Sequence, residues 1–298
     1  MDSTESTEWL AGRFEENRRH LRAVAFRMLG SLSEADDAVQ ESWLRLSRQP
    51  DDRVDAIANL TAWLTTVVAR VALEMLKSRR REESLESARV PEPIVSPETG
   101  LDPEHEALLA DSVGLALLVV LETLKPAERL AFVLHDMFAV PFEDIAVIVD
   151  KSPAAARQLA SRARRRVQVS DAVPDPDLNR QKEVVRAFSA ASRGGDFAAL
   201  VAVLDPDVVL RADYGTLPAG LKLLRGAEAV AKQALMFGRF SANAHPALVN
   251  GAPGRVTIVA GKPVAVMGFT VVDGRIKEID ILADPERLAE IDVTVFEA

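Results

Sequence analysis

Apolar residues recur at helical spacing through the first half of the chain and change to strand-like runs beyond position 206. FEENRRHLRAVAFRMLG (14–30) reads as a helix stopped at Gly30, a residue suited to the left-handed turn that ends helices. SLSEADDAVQESWLRLS (31–47) reads as a second helix, with Ser33 and Asp36 in capping-box spacing. Ala35, Ala38, Val39, Trp43 and Leu46 form its apolar stripe, leaving Asp37, Gln40, Glu41 and Arg45 outward. NLTAWLTTVVARVALEMLKSRRR (59–81) keeps Leu60, Leu64, Val67, Val68, Val71 and Met75 in register. Its opposite flank carries Thr66, Arg70, Lys77 and Arg80.

Residues 89–106 contain four prolines and read as an extended linker. Beyond it, Pro126–Phe138 predicts a helix with Leu130, Val133, Leu134 and Met137 inward, and PFEDIAVIV (141–149) a shorter one. Asp150-Lys151 leaves room for only a tight turn before Ser152, a capping residue, and Pro153, which loses nothing at the first helical position. Asp150 stands where a glycine is usual, and Asp tolerates the left-handed conformation better than most residues. The following helix has small apolar residues on one stripe (Ala156, Leu159, Ala160, Ala163, Val167) and donors on the other. Two short helices joined this way predict a helix-turn-helix, whose second helix enters the major groove.

After DAVPDPDLNR (171–180), residues 178–204 predict two helices broken at Gly194-Gly195. DVVLRAD, PALVNG, GRVTIVAG, PVAVMGFTVV and RIKEIDIL then read as strands, with Asp273-Gly274 as a hairpin turn. Helices followed by a meander predict an α+β domain with a curved antiparallel sheet. The expected layout is a helical domain at 10–88, a linker at 89–106, a helix-turn-helix domain at 107–169 and an α+β domain at 176–298.

Composition changes this picture in two ways. The chain lacks cysteine, which fits a reducing compartment and excludes disulfides and thiolate metal sites. Its four histidines are scattered, so neither a metal nor another cofactor is expected. The acidic, polar N-terminus is unlike a secretory signal, and no apolar run reaches the roughly 18 residues of a membrane span. A soluble, cytoplasmic protein with no membrane partner is the expectation. The net charge of −9 is unevenly distributed: residues 1–12 and 91–110 contain acids and no Lys or Arg, whereas arginines cluster at 79–81 and 162–166. Clustering governs phosphate contact more than the total does. Such weakly charged modules suggest a protein that holds DNA together with a partner.

The motifs carry a family resemblance. SLSEADDAVQESWLRL (31–46) with NLTAWLTTVVARVALEMLKSRRR (59–81) resembles region 2 of bacterial extracytoplasmic-function sigma factors. LKPAERLAFVLHDMFAVPFEDIAVIVDKSPAAARQLASRARRRV (124–167) resembles their region 4. The whole chain looks like the subgroup fused to a SnoaL-like domain of the nuclear-transport-factor-2-like fold. VPEP (90–93) is similar to its linker motif, with Arg89 in place of the usual tryptophan, and DPERL (284–288) to its Asn-Pro-Asp-Lys-Leu motif. The subgroup's Asp-Gly-Gly-Gly loop has only a partial counterpart in Ala212-Asp213-Tyr214-Gly215.

The resemblance implies a non-enzymatic protein that binds core RNA polymerase through its β and β′ subunits and directs it to promoter DNA. Asp37, Gln40, Glu41, Leu44 and Arg45 match the polymerase-binding face. Asn59, Trp63, Arg70, Lys77 and Arg80 match the region that melts and reads the −10 element, with Val71 where the family often has asparagine. The −35 element would meet Arg157, Gln158, Ser161 and Arg162 at base edges, and Arg164, Arg165 and Arg166 at phosphates. Pro91, Glu92 and Pro93 in the linker, with Asp284, Pro285, Arg287 and Leu288, would form a regulatory contact between C-terminal domain and linker. SnoaL-like folds host isomerases and cyclases as well as binding modules, so a small-molecule ligand stays open. An enzyme would need a buried acid or histidine facing a cavity, and Asp213, Tyr214, His245 and Asp280 are the candidates. A one-component regulator would also pair a helix-turn-helix with a ligand domain, but it has no use for the 10–88 module.

Overall fold

In the computed structural model, which describes residues 3–49, 57–78, 89–98, 114–169, 175–215, 220–238 and 243–296, the chain forms two compact units. One holds the described residues of Met1–Glu82 and Thr123–Arg166, the other those of Glu83–Glu122 and Val167–Ala298.

The first unit is helical. α1 (Ser3–Leu29) stops at Gly30, whose φ of 72° is left-handed. α2 (Leu32–Ser47) is capped by Ser31, whose Oγ accepts from the Glu34 amide at 3.4 Å. Ser31 and Glu34, rather than Ser33 and Asp36, therefore occupy the capping-box positions, because the chain leaves Gly30 directly into the cap. In α3 (Leu60–Ser78) the buried stripe is Leu64, Thr65, Val68, Ala69, Val71, Ala72, Leu73 and Leu76. Leu60, Val67 and Met75, expected inward, are only half-buried at its edges. α5 (Pro126–Phe132) runs into a π-turn, Val133–Met137, and then Ala139 at φ 53° breaks the helix. α6 (Phe142–Val149) ends on Asp150 at φ 54°, ψ 55°, the left-handed cap that replaces glycine. α7 (Pro153–Val169) follows, with the Ser152 Oγ accepting from the Ala155 amide at 3.2 Å.

The second unit is built on one seven-stranded sheet in the order β1-β4-β5-β6-β7-β2-β3. Its strands are β1 (Val95–Pro97), β2 (Leu204–Asp213), β3 (Leu221–Arg225), β4 (Ala244–Val249), β5 (Ala252–Val259), β6 (Lys262–Val272) and β7 (Arg275–Leu282). The sheet is mixed, not wholly antiparallel: β2 and β7 pair in parallel. The meander reverses at each of its three turns, so β7 runs opposite to β4, and β2 lies beside β7 in the same direction. Asp273 (φ 52°) and Gly274 (φ 73°) make the expected hairpin between β6 and β7. Helices α8 (Leu178–Gly194), α9 (Phe197–Val203) and α10 (Ala227–Phe237) bury Val185, Phe188, Leu200 and Val230 with Leu210, Ala212, Phe269 and Ile279 of the sheet.

The segment expected as a plain linker is partly structural. Val95–Pro97 is an edge strand against β4. Ile94 exchanges two hydrogen bonds with Asn250: its amide donates to Oδ1 at 3.0 Å and its carbonyl accepts from the Asn250 amide at 2.8 Å. α4 (Leu115–Glu122) also belongs to this unit, where Leu115 packs 3.1 Å from the position a Cβ on Gly268 would take. A side chain on Gly268 would need Leu115 to shift by a few tenths of an ångström.

Candidate nucleic-acid interface

On α2, Asp37 and Gln40 are exposed and Glu41, Leu44 and Arg45 half-buried. Arg45 is engaged: Nε donates to Glu41 at 2.9 Å and Nη2 to Glu74 of α3 at 2.9 Å. The hydrogen bond to Glu74, against the cost of burial, and the bond to Glu41 raise its pKa. Asp37 and Gln40 are therefore the most open members of this face. On α3, Asn59 caps the helix by accepting from the Ala62 amide at 3.0 Å. Arg70 and Lys77 are exposed, whereas Trp63 is half-buried. Arg80 lies outside the described residues.

The helix-turn-helix divides cleanly by face. Ala156, Leu159, Ala160, Ala163 and Val167 are buried, and Arg157, Gln158, Ser161, Arg162, Arg164, Arg165 and Arg166 are exposed. Three of the arginines are held at their guanidinium ends by groups from earlier helices of the unit. Arg157 lies over the Phe142 ring, 5.1 Å from its centroid. Arg162 Nε pairs with Glu128 at 3.0 Å. Arg164 Nη2 pairs with Asp136 at 2.6 Å, and that hydrogen bond raises the Arg164 pKa. Planar guanidiniums oriented in this way are suited to directed contacts with bases or phosphates. Glu128, Asp136 and Phe142 were not visible as partners in the sequence, since each stands 15 to 34 positions from its arginine; only their charge or ring offered a signal.

A seam of aromatic and basic groups lies within the same unit. The Arg27 guanidinium sits 4.9 Å from the centroid of Phe138, and the buried Arg129 donates to the Arg27 carbonyl at 3.2 Å. His20 meets the Thr65 hydroxyl at 2.9 Å and the Phe138 ring edge-on. Burial, assisted by the charge of Arg27, lowers the pKa of His20.

In the sheet unit, α11 (Pro285–Leu288) is capped by Asp284, which accepts from the Glu286 amide at 3.1 Å. Arg287 reaches two places at once: Nη1 donates to Asp213 at 3.2 Å and Nη2 to the Val90 carbonyl at 2.7 Å. Leu288 is buried in a cluster with Val90, Val95, Leu115 and Leu282. Pro91 and Pro93 are buried and Glu92 half-buried. The partial loop joins the same contact, because Gly215 at φ 62° leaves the space in which the Asp284 carboxylate lies. A Cβ on Gly215 would stand 2.2 Å from Asp284 Oδ2.

Strand alternation separates the remaining candidates. Leu210, Ala212, Tyr214, Ile279 and Ile281 line a cavity of about 300 Å³. Asp213 and Asp280, the acids considered for catalysis, alternate with them and so stand on the other face. There Arg211 bridges Asp280 at 2.7 Å and Glu278 at 3.2 Å, all three buried. Burial pushes the Asp280 carboxyl up, with Arg211 opposing. Burial works against the charge of Arg211, yet the two carboxylates raise its pKa above the ordinary arginine value. His245 tilts toward Phe296 and is no part of the cavity wall.

Two helical modules, the second ending in a helix-turn-helix with an arginine-lined outer face, define a sigma-70-type transcription initiation factor. The Sigma-70 region 2 model matches residues 13–82 and the Sigma-70 region 4 model residues 114–167. The ECF RNA polymerase sigma factor SigJ of Mycobacterium tuberculosis is 40% identical over 295 residues, spanning 92% of this chain and 91% of that protein. The probable ECF sigma factor SigI of the same species is 33% identical over 282 residues, 91% of this chain and 92% of its own. The crystal structure of M. tuberculosis SigJ superposes with a TM-score of 0.75 at 37% identity, covering 93% of this chain and 97% of that one. The chain belongs to the extracytoplasmic-function family of RNA polymerase sigma factors, which direct transcription initiation. Among the described residues no helix is long and apolar enough to cross a membrane.

Proposed function

We propose that this sigma factor grips core polymerase through Asp37, Gln40, Glu41 and Leu44, reads the −10 element with Asn59, Trp63, Arg70, Lys77 and Arg80, and reads the −35 element with α7. The observation that carries the reading is the division of α7: every member of its small apolar stripe is buried and every basic residue of the described face is exposed. Arg157 and Gln158 lie in the N-terminal half, which leads into the groove in helix-turn-helix proteins, and Ser161 and Arg162 follow one turn later. Arg165, exposed and further along, is assigned to phosphate. Work with polymerase on chromosomal promoters implies a cytoplasmic protein.

The sheet unit is assigned a regulatory, non-catalytic role. The Arg287 bridge to Val90 and the buried Leu288 support a contact between DPERL and VPEP through which the C-terminal domain acts on the segment joining the two sigma regions. Against catalysis stands the position of Asp213 and Asp280 on the sheet face opposite the cavity, which leaves Tyr214 as the one catalytic candidate in its described wall.

Run-off transcription with core polymerase tests the assignment. Reversing charge with Asp37→Lys and Glu41→Lys should abolish polymerase capture while the helical circular dichroism stays unchanged. Arg157→Ala should weaken promoter binding by about 1–3 kcal/mol and relax selectivity at particular −35 bases, whereas Arg165→Ala should weaken all sequences alike and flatten the salt dependence. Retained capture in the charge-reversed protein would remove α2 from the interface, and equal losses for both arginine variants would remove base reading from α7.

A further inference from the structure

The cavity of the sheet unit has one feature that the sigma assignment leaves unused. Its volume of about 300 Å³ lies at the lower end of small-molecule sites. Phe188, Leu210, Met267 and Ile279 supply much of a mostly apolar wall that, among the described residues, contains neither Asp, Glu nor His. Among the described residues of this wall the one cation is Arg255, placed there by β5. Its Nη1 donates to the Ser189 hydroxyl at 2.9 Å and its Nη2 to the Ala244 carbonyl. Both acceptors are neutral, and among the described residues no carboxylate stands within ion-pair distance of it. Burial lowers the Arg255 pKa, with Arg193 acting in the same direction and Glu98 opposing.

A half-buried guanidinium satisfied only by neutral oxygens retains donors and charge that an anion satisfies far better than water in an apolar recess. The two anchoring hydrogen bonds also fix its orientation, so little side-chain freedom remains to be lost on binding. The strand alternation that moves Asp213, Glu278 and Asp280 to the other face leaves nothing acidic among the described residues of the wall to repel such a ligand. We propose that this cavity is a binding site for a small carboxylate with a largely apolar body, its carboxyl group seated on Arg255 and its body against Phe188, Leu210, Met267 and Ile279. Of the four groups considered for catalysis only Tyr214 lines the described wall, with no Asp, Glu or His beside it there, so the cavity is assigned as a receptor site that releases its ligand unchanged.

The test uses the full chain, 4-phenylbutyrate as the carboxylate and 4-phenylbutan-1-ol as its neutral counterpart, with Kd measured by equilibrium dialysis. The acid should bind at least about tenfold more tightly than the alcohol, as expected for one charge-assisted contact. Arg255→Gln should bring the acid to the affinity of the alcohol, and Arg255→Lys should restore part of the preference. Ala234→Phe, which fills the cavity, should remove binding of both compounds. If that variant melts well below the parent protein, chemical-shift changes at the Met267 methyl on adding 4-phenylbutyrate to the parent locate the site instead. Equal affinity for acid and alcohol, a preference that survives Arg255→Gln, binding that survives Ala234→Phe, an unmoved Met267 methyl, or no binding of either compound would each overturn the proposal. No polymerase or DNA enters the measurement, so its outcome is independent of the promoter-reading assignment.

Discussion

The arginines of α7 in the helical unit and Arg211 in the sheet unit are used in opposite ways. On α7 the guanidiniums lie at the surface, steadied by Phe142, Glu128 and Asp136 but open on their outer side. In the sheet, Arg211 is 3% exposed and closed between Asp280 and Glu278, so its charge is directed wholly inward. The pairs on α7 are weak because water and salt screen their exposed arginines, and they yield readily to a phosphate or a base. The buried cluster cannot exchange partners without leaving an uncompensated charge in the interior. The outer face of α7 is therefore built to trade its ionic partners and the Arg211 cluster to keep them. Arg287 stands between these extremes, half-buried, tying Asp213 to the Val90 carbonyl.

Breaking the buried cluster should have the largest effect. Arg211→Met leaves the buried Asp280 carboxylate without its cation and should cost about 3–5 kcal/mol of sheet-unit stability in urea unfolding. Adding Glu278→Gln and Asp280→Asn should recover most of that loss, since the uncompensated charge is then gone. If the single variant unfolds like the parent, the contrast between the units fails. Next in size, Arg287→Ala leaves the buried Asp213 Oδ2 and the Val90 carbonyl without this donor, for about 1–3 kcal/mol. Hydrogen exchange at residues 94–96 should quicken in that variant while the helical unit keeps its protection.

The pH dependence of the helical unit sharpens the comparison from the other side. The folded unit holds His20 below its ordinary pKa, so below roughly pH 6.5 the unfolded chain takes up a proton that the folded site refuses. Stability is full above that pH and falls as pH drops toward the depressed folded value. His20→Gln should therefore flatten the thermal-melting profile between about pH 7 and 5.5, and a profile as steep as the parent's would remove His20 from this dependence. The smallest effect is expected where α7 meets Glu128: Glu128→Gln should change stability by less than about 1 kcal/mol while tightening promoter binding, because Arg162 no longer shares its charge. A large destabilisation there would make the pair a fixed structural contact and deny the helical unit its exchangeable partners.

Much of this was legible in the sequence because it depends on near neighbours. Helical periodicity, the stop at Gly30, the left-handed Asp150, the stripe of α7 and the Asp273-Gly274 turn are each decided within a few residues. The cap of α2 was less legible: Ser33 and Asp36 have capping-box spacing, and only the position of Gly30 in the folded chain selects Ser31 instead. The two sigma motifs were recognisable for the same reason, since each is a continuous run. What the sequence could not disclose were pairings between distant positions. Parallel pairing of β2 with β7, the edge strand at Val95–Pro97, the grip of Glu128 and Asp136 on α7 and the Arg287 bridge join residues 28 to 197 positions apart. Strand alternation assigns residues to two faces but does not say which face encloses a cavity. That choice, which left Arg255 in the cavity wall and sent Asp213 and Asp280 to the other side, was made only when the helices packed on one face of the sheet. The reason is physical: periodicity is set by the geometry of the local backbone, whereas the partner of a charge is set by whatever the whole chain brings beside it.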